Sequence, residues 1–393
     1  MAQYGFLLGA LMIATALSAC VQNAAEAPPV SAANLAGDPR NPQAGEQGDG
    51  GVKQTPACFS VTNPPRETGL PPTTYAMRGT LFSRGPLRAD SVVIVFLHGG
   101  GWDAASWLRN PEHAMPVALA ESGYAVITYD RLGQGDSRPA QSGPAQGWTF
   151  PDHADTLHQL VAHLRAGTAT KFDGSSCDAS AKLGPAVEKV VLTGVSLGGA
   201  LVDLYATRFG DVQAIIPQDW SNMGPANPEP FVYIGRALTM LDADGYALFP
   251  STKDDCRKLI FHEPGTKTGL VDQVCLGAFR RTAASELTNL GEAMALTKDN
   301  VKNVSASTAV LLTWADQSLP FKPLNNQLPD PRKGEYEMWR TDCPCRANVE
   351  TWTQKDAGHG MHMHQSAPSL TARIIEFLEA HGLDARPNGG ASR

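Results

Sequence analysis

Residues 190–201 read VVLTGVSLGGAL, and this stretch is the strongest indication of the fold. An apolar, β-branched run ends at Gly194, Ser196 follows, and a segment with helical character begins after Gly198. A serine on a sharp turn between a strand and a helix needs neighbours without side chains, and glycines meet that need. The following helix would direct its free N–H groups toward the serine. The pattern predicts that Ser196 is a nucleophile; an ordinary strand-to-helix turn is the alternative.

The composition is that of a globular protein with a sizeable core. The chain has 393 residues, of which 42% are hydrophobic, enough for one large domain with insertions or for two ordinary domains. The formal net charge is -7 and no basic stretch stands out. This charge balance argues against nucleic acid as the main partner.

The N-terminus has the features of an export signal. Residues 6–19 form a short apolar run that ends in small residues. The sequence Leu-Ser-Ala-Cys at 17–20 resembles the lipobox of bacterial lipoproteins, in which the cysteine becomes the lipid-bearing N-terminus. We therefore expect an exported protein, anchored to a membrane only through lipid on Cys20 and facing the periplasm or the cell exterior. An ordinary signal peptide is the alternative, because no Lys or Arg precedes the apolar run.

Apart from Cys20, the chain has six cysteines, which predict disulfides in an oxidising compartment. Six cysteines allow up to 15 pairings. Cys256 with Cys275 is the preferred pair, because both lie in one inserted region. The motif Cys-Pro-Cys at 343–345 is expected to bond to other partners, with Cys58 and Cys177 as candidates, because its own cysteines are so close. A metal site at this motif is the weaker alternative.

The apolar runs predict the strands of a sheet. Residues 73–82 favour an edge strand, whereas residues 91–97 and 124–129 are continuous apolar runs, as expected of strands that are buried on both faces. Such runs alternate with helical segments, which favours a mostly parallel sheet flanked by helices. Between residues 221 and 306 the alternation breaks, which indicates an inserted segment.

A glycine run follows the strand at 91–97. His98 is succeeded by three glycines, whose backbone N–H groups would be exposed where ligands bind in open α/β sheets. The run resembles the oxyanion loop of lipases and esterases. The resemblance implies that Gly100, or its neighbour Gly101, donates one N–H to the oxyanion and Leu197 donates the other. We expect His98 to be structural.

A second loop follows the strand at 124–129. Residues 130–137 resemble the Asp-x-x-Gly-x-Gly-x-Ser loop of the α/β-hydrolases, after their fourth strand. We expect Asp130 and Arg131 to connect loops rather than to take part in chemistry.

Two later loops would supply the partners of Ser196. Asp316 follows the apolar strand at 309–314, and His359 lies between glycines after the strand at 349–354. These loops resemble the acid and histidine loops of the α/β-hydrolases, which implies the triad Ser196, Asp316 and His359 in that chain order. Asp219 also follows a strand end and is the alternative acid.

The closely spaced histidines at 359, 362 and 364 could instead indicate a metal site. No carboxylate pattern supports it. We therefore expect no metal and no cofactor.

The resemblance as a whole implies an α/β-hydrolase fold with a cap. The expected segments are a signal peptide at 1–19, a flexible tether at 20–55, a first core segment at 56–220, a cap at 221–306, a second core segment at 307–384 and a disordered tail at 385–393.

The predicted function is hydrolysis of a small-molecule carboxylic ester through an acyl-enzyme. The serine argues against haloalkane dehalogenases and epoxide hydrolases, which use aspartate at this position. An aminopeptidase of the prolyl or tripeptidyl type, acting on short peptides, is the first alternative. Glu229, Asp242 and Asp244 of the cap would then hold the substrate amine. A non-catalytic surface lipoprotein is the second alternative.

Overall fold

The computed structural model describes residues 51–62, 74–137, 148–172, 177–276, 281–323 and 329–385. The signal peptide, Cys20, the tether up to residue 50 and the tail from residue 386 lie outside the described residues. Within the described ranges, no helix is long and apolar enough to cross a membrane. Export and lipid anchoring stay predictions.

Twelve strands are described, and ten of them form one sheet. In chain order the strands are β1 (Lys53–Thr62), β2 (Thr74–Ser83), β3 (Val92–Leu97), β4 (Ala125–Tyr129), β5 (Thr170–Phe172), β6 (Cys177–Lys182), β7 (Lys189–Val195), β8 (Ala214–Gln218), β9 (Tyr246–Leu248), β10 (Arg281–Ala283), β11 (Ala309–Ala315) and β12 (Val349–Gln354). The order in the large sheet is β12-β11-β8-β7-β3-β4-β2-β1-β5-β6.

The half of the sheet from β12 to β4 is parallel throughout. The half from β4 to β6 is antiparallel. Every residue of β3, and all of β7 except Lys189, is buried, because helices cover the two faces of these central strands. The predicted mostly parallel sheet with flanking helices is confirmed.

Ten α-helices accompany the strands in the described part of the chain. They are α1 (Met115–Glu121), α2 (Phe150–Ala166), α3 (Leu197–Phe209), α4 (Glu229–Leu238), α5 (Lys253–Ile260), α6 (Leu270–Leu276), α7 (Ala284–Thr288), α8 (Leu290–Asn300), α9 (Pro331–Asp342) and α10 (Ala367–Ala380). Helix α3 packs on β7 and β8 beside α2, and α10 packs against α1. The carboxyl ends of β3, β7, β8 and β12 therefore remain open to the segment that joins β8 to β11.

That segment carries helices α4 to α8 and the two-stranded sheet of β9 and β10. It is the region for which the sequence predicted a cap, and we call residues 221–306 the cap. Its last helix, α8, packs against α3 of the core. The cap is thus attached to the helix that follows Ser196.

One strand prediction differs from the structure. Residues 73–82 were expected to form an edge strand, but β2 lies inside the sheet between β1 and β4. The missing neighbour is β1, which begins at Lys53 inside the predicted tether and pairs with β2 along its full length. Because residues 53–55 are all polar, the tether composition concealed the start of a strand.

The disulfides agree with one prediction and correct another. Cys256 and Cys275 are bonded, as predicted. The Cys-Pro-Cys motif was expected to reach other cysteines; instead Cys343 bonds to Cys345, and Cys58 bonds to Cys177. The Cα atoms of Cys343 and Cys345 are 5.0 Å apart, inside the range that a disulfide spans, so closeness in sequence did not exclude the bond.

Candidate active site

Ser196 occupies the turn between β7 and α3 in a left-handed backbone conformation, with φ 56° and ψ -122°. A Cβ atom on Gly194 would lie 2.6 Å from the carbonyl of Gly198. A Cβ atom on Gly198 would lie 2.3 Å from the carbonyl oxygen of Leu97. The two glycines are therefore required by close packing, and the strained turn directs Ser196 to the carboxyl edge of the sheet.

His359 follows β12 and reaches back over the sheet toward Ser196. Its Nδ1 lies 2.5 Å from Oδ2 of Asp219, and both side chains are buried. The Asp219 carboxylate also accepts a hydrogen bond from the backbone N–H of Ala315 at 2.8 Å and another from the hydroxyl of Ser318. A carboxylate held by these donors fixes the imidazole ring of His359 in one orientation.

His359 is hydrogen-bonded to Asp219, the alternative acid, and not to Asp316, the acid that the sequence analysis favoured. Asp219 follows β8, which is the direct neighbour of the nucleophile strand β7, whereas Asp316 follows β11, one strand farther away. With about 4.8 Å between strands, that extra strand moves Asp316 away from the nucleophile. Its Oδ1 instead accepts a hydrogen bond from the N–H of Ala357, 3.3 Å away.

The two predicted oxyanion donors lie beside Ser196. Gly100, Leu197 and Ser196 line the same pocket. Leu197 is the first residue of α3, and an N–H at that position has no partner inside its helix. Both residues that were predicted as oxyanion donors therefore lie in the pocket that contains Ser196.

His98 has the structural role that the sequence suggested. Its Nδ1 donates to the carbonyl of Gly99 at 2.9 Å, and its Nε2 accepts from the backbone N–H of Arg131 at 3.1 Å. Burial, followed by the charge of Arg131, lowers the pKa of His98 to about 3. The ring is therefore neutral at physiological pH, as these two bonds require.

Asp130 connects two loops at the same edge of the sheet. Its carboxylate accepts from the N–H of Ala104 at 2.6 Å and from the N–H of Asp136 at 2.7 Å. Burial, followed by the charge of Asp103, raises the pKa of Asp130 to about 7. This contact ties the segment after the glycine run to the loop after β4.

The three histidines of the 359–364 segment have separate partners. His362 packs against the rings of Trp102 and Trp107, with ring centroids 5.2 and 4.3 Å away. Nε2 of His364 accepts from the N–H groups of His262 and Gly358, 2.9 and 3.0 Å away. No group of three or more metal-ligating side chains is found among the residues that the structure describes.

The contacts of His364 hold the loop that carries His359. Its Nδ1 donates to the carbonyl of Gly360 at 2.9 Å, while its Nε2 bonds Gly358 on the other side of His359. Burial lowers the pKa of His364 to about 4, so the neutral ring can accept at Nε2. Sequence reasoning missed this role because nothing in the spacing distinguishes a loop-holding histidine from a ligand.

Burial of His362 gives a prediction about stability. Burial lowers its pKa from the ordinary value of 6.5 to about 3. Below pH 6.5 the unfolded chain therefore binds a proton there that the folded protein does not, and stability is lost as the pH falls toward 3. His362→Phe keeps a ring against Trp107 and removes this loss. The free energy of unfolding of the variant, minus that of wild type, should be about 2 kcal/mol larger at pH 5 than at pH 8.

Urea denaturation of both proteins at the two pH values measures this difference. A variant whose relative stability is the same at pH 5 and pH 8 would show that His362 keeps an ordinary pKa in the folded protein.

The loop behind Asp219 is held by the insertion between β11 and β12. Glu335 on α9 accepts from the backbone N–H of Asn222 at 2.5 Å and from the hydroxyl of Ser221 at 3.2 Å. The amide of Asn222 bridges Glu335 to Asp203 on α3, at 2.9 and 2.8 Å. Burial raises the pKa of both carboxyl groups. No local pattern indicates this contact, because it joins segments more than 100 residues apart.

The pocket above Ser196 is apolar and bounded mainly by the cap. It has an empty volume of about 780 Å³, part of which is open to solvent. Apart from Asp219 and His359, its described lining residues carry no ionisable side chain. The cap contributes apolar groups, including Phe231, Ile234, Phe249, Leu259, Leu287 and Met294.

The acidic cap residues considered for an aminopeptidase do not line this pocket. Asp242 and Asp244 both form ion pairs with Arg281, the second at 3.0 Å. Glu229 accepts a hydrogen bond from the hydroxyl of Tyr233. In this structure none of the three faces the space next to Ser196.

Comparison with known proteins agrees with this fold. The model of the alpha/beta hydrolase family matches residues 94–374. A Synechocystis sp. protein provisionally named a non-heme chloroperoxidase is 31% identical over 117 residues, which is 30% of this chain and 32% of that protein. The chain thus matches only about a third of the length of this curated relative.

Two solved structures share the fold at low sequence identity. A highly thermostable carboxyl esterase from Bacillus coagulans has a TM-score of 0.53 and 12% identity, covering 83% of this chain and 98% of that one. A protein from Burkholderia cenocepacia provisionally named an aryl esterase has a TM-score of 0.51 and 17% identity, covering 82% and 98%. With the family model spanning most of the sheet and the whole cap, this chain belongs to the alpha/beta hydrolase family.

Proposed function

We propose that this protein is a serine hydrolase that cleaves a carboxylic ester through an acyl-enzyme. The observation that carries the proposal is the buried hydrogen bond of 2.5 Å between His359 and Asp219, next to Ser196 in one pocket. A serine hydroxyl is a weak nucleophile and needs a base that is itself held in place. Ser196, His359 and Asp219 supply these three parts.

In the proposed reaction, the Ser196 hydroxyl oxygen attacks the ester carbonyl carbon, and His359 accepts its proton. Asp219 stabilises the resulting imidazolium, and the N–H groups of Gly100 and Leu197 bind the oxyanion. Collapse of the tetrahedral intermediate breaks the bond to the alcohol oxygen, which takes the proton from His359. Water then repeats these steps on the acyl-Ser196 ester and releases the acid.

The lining of the pocket favours an uncharged, apolar substrate group. Phe231, Ile234 and Met294 are among the cap residues around it, and none of the ionisable cap residues considered above faces it. Apolar surface binds apolar groups without the loss of hydration that a buried ammonium would suffer. The ester hypothesis is therefore better supported than the aminopeptidase.

A series of nitrophenyl esters of rising acyl length, run beside amino-acyl anilides, tests this function. We expect ester turnover with an optimum at medium acyl length and at least about 100-fold lower kcat/KM for the anilides. Phe231→Ala enlarges the pocket and should shift the optimum to longer acyl chains. Anilide turnover at comparable rates would favour the aminopeptidase, and inertness to all substrates would favour the non-catalytic alternative.

We also propose that the protein is exported and lipid-anchored through Cys20. The proposal rests on the Leu-Ser-Ala-Cys sequence at 17–20 alone. Stable anchoring requires more than one acyl chain, which a lipoprotein cysteine carries. The mass of the N-terminal peptide of the mature protein tests it, and an unmodified peptide that begins elsewhere would contradict it.

A further inference from the structure

Three ionisable side chains meet inside the protein at a place that the proposed mechanism does not use. Glu286, on α7 of the cap, is fully buried. Its two carboxylate oxygens lie 3.0 and 3.1 Å from the two terminal nitrogens of Arg131, which follows β4 of the core. Nε2 of His153 on α2 lies 2.7 Å from Oε1 of the same carboxylate. This is an ion pair between cap and core, 155 residues apart in sequence.

A fully buried ion pair is weak evidence for stability. Removing two charges from water costs several kcal/mol for each ion, which the pairing offsets only when the geometry is good. Burial raises the pKa of the Glu286 carboxyl. Arg131 and His153 lower this pKa by a larger amount, and the net result is a pKa of about 2. The carboxylate is therefore ionised at neutral pH. The other contacts of its partner Arg131 indicate its role.

Arg131 contacts the glycine run that is proposed to bind the oxyanion. Its Nη2, which bonds Glu286, also donates to the carbonyl of Gly99 at 3.4 Å. Its backbone N–H donates to His98, whose other ring nitrogen donates to the same Gly99 carbonyl at 2.9 Å. Both donors to that carbonyl therefore depend on the position of Arg131.

The carbonyl of Gly99 and the N–H of Gly100 belong to one peptide group. A trans peptide is planar, and its C=O and N–H point in opposite directions. Holding the carbonyl toward Arg131 and His98 therefore turns the N–H of Gly100 away from them, toward the pocket that Gly100 lines. Because neither residue has a side chain that would favour one orientation of this peptide, the hydrogen bonds to its carbonyl help to set that orientation.

The same cap segment lies close to Gly100. Thr282, on β10 and fully buried, has its hydroxyl 3.5 Å from the position that a Cβ atom on Gly100 would occupy. The segment from β10 to α7 therefore lies against both glycines of this peptide, one through Thr282 and the other through Glu286 and Arg131.

We propose that Glu286 is a positioning residue, which holds Arg131 on the Gly99 carbonyl and so keeps the Gly100 N–H directed at the oxyanion. The cap then has a second role besides lining the pocket, since the oxyanion donor is aligned only when α7 is seated. The inference rests on the proposed function, because it concerns the same site.

Glu286→Gln tests the proposal, with Ser285→Ala as the matched control. The hydroxyl of Ser285 donates to the backbone carbonyl of Trp148, so the control removes a neighbouring contact between cap and core that does not involve the glycine run. Both variants and the wild type are assayed on the preferred nitrophenyl ester. Each is also tested with a trifluoromethyl ketone, which forms an oxyanion on the serine, and with the matching methyl ketone as a binder without an oxyanion.

In Glu286→Gln we expect kcat to fall by roughly 10- to 100-fold, which is part of the 10²–10³-fold loss typical when an oxyanion donor is removed. KM and the affinity for the methyl ketone should change by less than about threefold, while the inhibition constant of the trifluoromethyl ketone rises with the loss in kcat. Ser285→Ala should stay within about threefold of wild type in every measurement. An equal loss in the two variants would mean that the cap is merely loosened, and would overturn the proposal.

A double variant, Arg131→Met with Glu286→Gln, covers the case in which Glu286→Gln fails to fold. It removes both charges of the Arg131–Glu286 pair, and replacing a buried ion pair by uncharged groups of similar size is often tolerated. The double variant still lacks the hydrogen bond from the Arg131 guanidinium to the Gly99 carbonyl. We therefore expect its kcat to remain low although the protein is folded. Wild-type kcat in the double variant would overturn the proposal.

The rate at which a fluorophosphonate labels Ser196 separates this inference from the proposed function. The phosphoryl oxygen occupies the oxyanion site whatever the natural substrate is, so labelling should slow in Glu286→Gln. A wild-type protein that neither labels nor turns over esters would overturn both proposals, whereas a reactive wild type with an equally reactive Glu286→Gln would overturn this one alone.

Discussion

Asp219→Asn is expected to lower kcat by about 10⁴-fold on the preferred ester. An asparagine oxygen can still accept from the N–H of Ala315, but its NH2 group cannot accept from Nδ1–H of His359. The ring would then favour the wrong tautomer and could not receive the Ser196 proton at Nε2. Steady-state kinetics with the nitrophenyl ester measure the loss, and circular dichroism checks that the fold is kept.

Asp316→Asn is the matched control for that variant. Among the described residues, the Asp316 carboxylate accepts a hydrogen bond from the N–H of Ala357, and an amide oxygen can do the same. We expect activity within about fivefold of wild type. If Asp316→Asn lost most of the activity while Asp219→Asn kept it, the acid would be Asp316, as the sequence first favoured, and the pairing with Asp219 would not be the catalytic one.

Ser196→Ala is expected to have the largest effect, a loss of about 10⁶-fold in kcat, to the level of any residual catalysis by the oxyanion donors. Alanine keeps the Cβ atom in the same left-handed backbone conformation, so the fold should persist. Ser221→Ala serves as the control, because Ser221 also lines the pocket but bonds to Glu335. The control should keep at least about a third of the wild-type kcat, and an equal loss in the two variants would argue against a unique nucleophile.

The sequence predicts the features that depend on local pattern. The apolar runs give the parallel half of the sheet, and the glycines around Ser196 and His359 identify two site residues, because close packing at sharp turns leaves a local signature. His98 was also placed in its structural role, since it directly precedes the glycine run.

The acid could not be chosen in the same way. Asp219 and Asp316 both follow apolar strands and both lie between Ser196 and His359 in the chain. The difference between them is the position of β8 and β11 in the sheet, which is a matter of strand order. No local pattern encodes strand order, so the choice required the structure.

Contacts between distant segments were missed for a related reason. Glu286 sits in a short cap helix with no motif around it, and its partner Arg131 belongs to a different part of the chain. Glu335 and Asn222 are a second case. Both contacts depend on how the cap and the insertion fold onto the core, which composition and periodicity do not specify.

In the proposed mechanism, Ser196 carries the acyl group during turnover. This can be measured by intact-protein and peptide mass spectrometry on protein that is quenched with acid while it hydrolyses a slowly turned-over ester. We expect the mass of one acyl group on the peptide that contains Ser196, and no adduct in Ser196→Ala. An acyl group on another residue, or undiminished turnover by Ser196→Ala, would show that the mechanism is wrong.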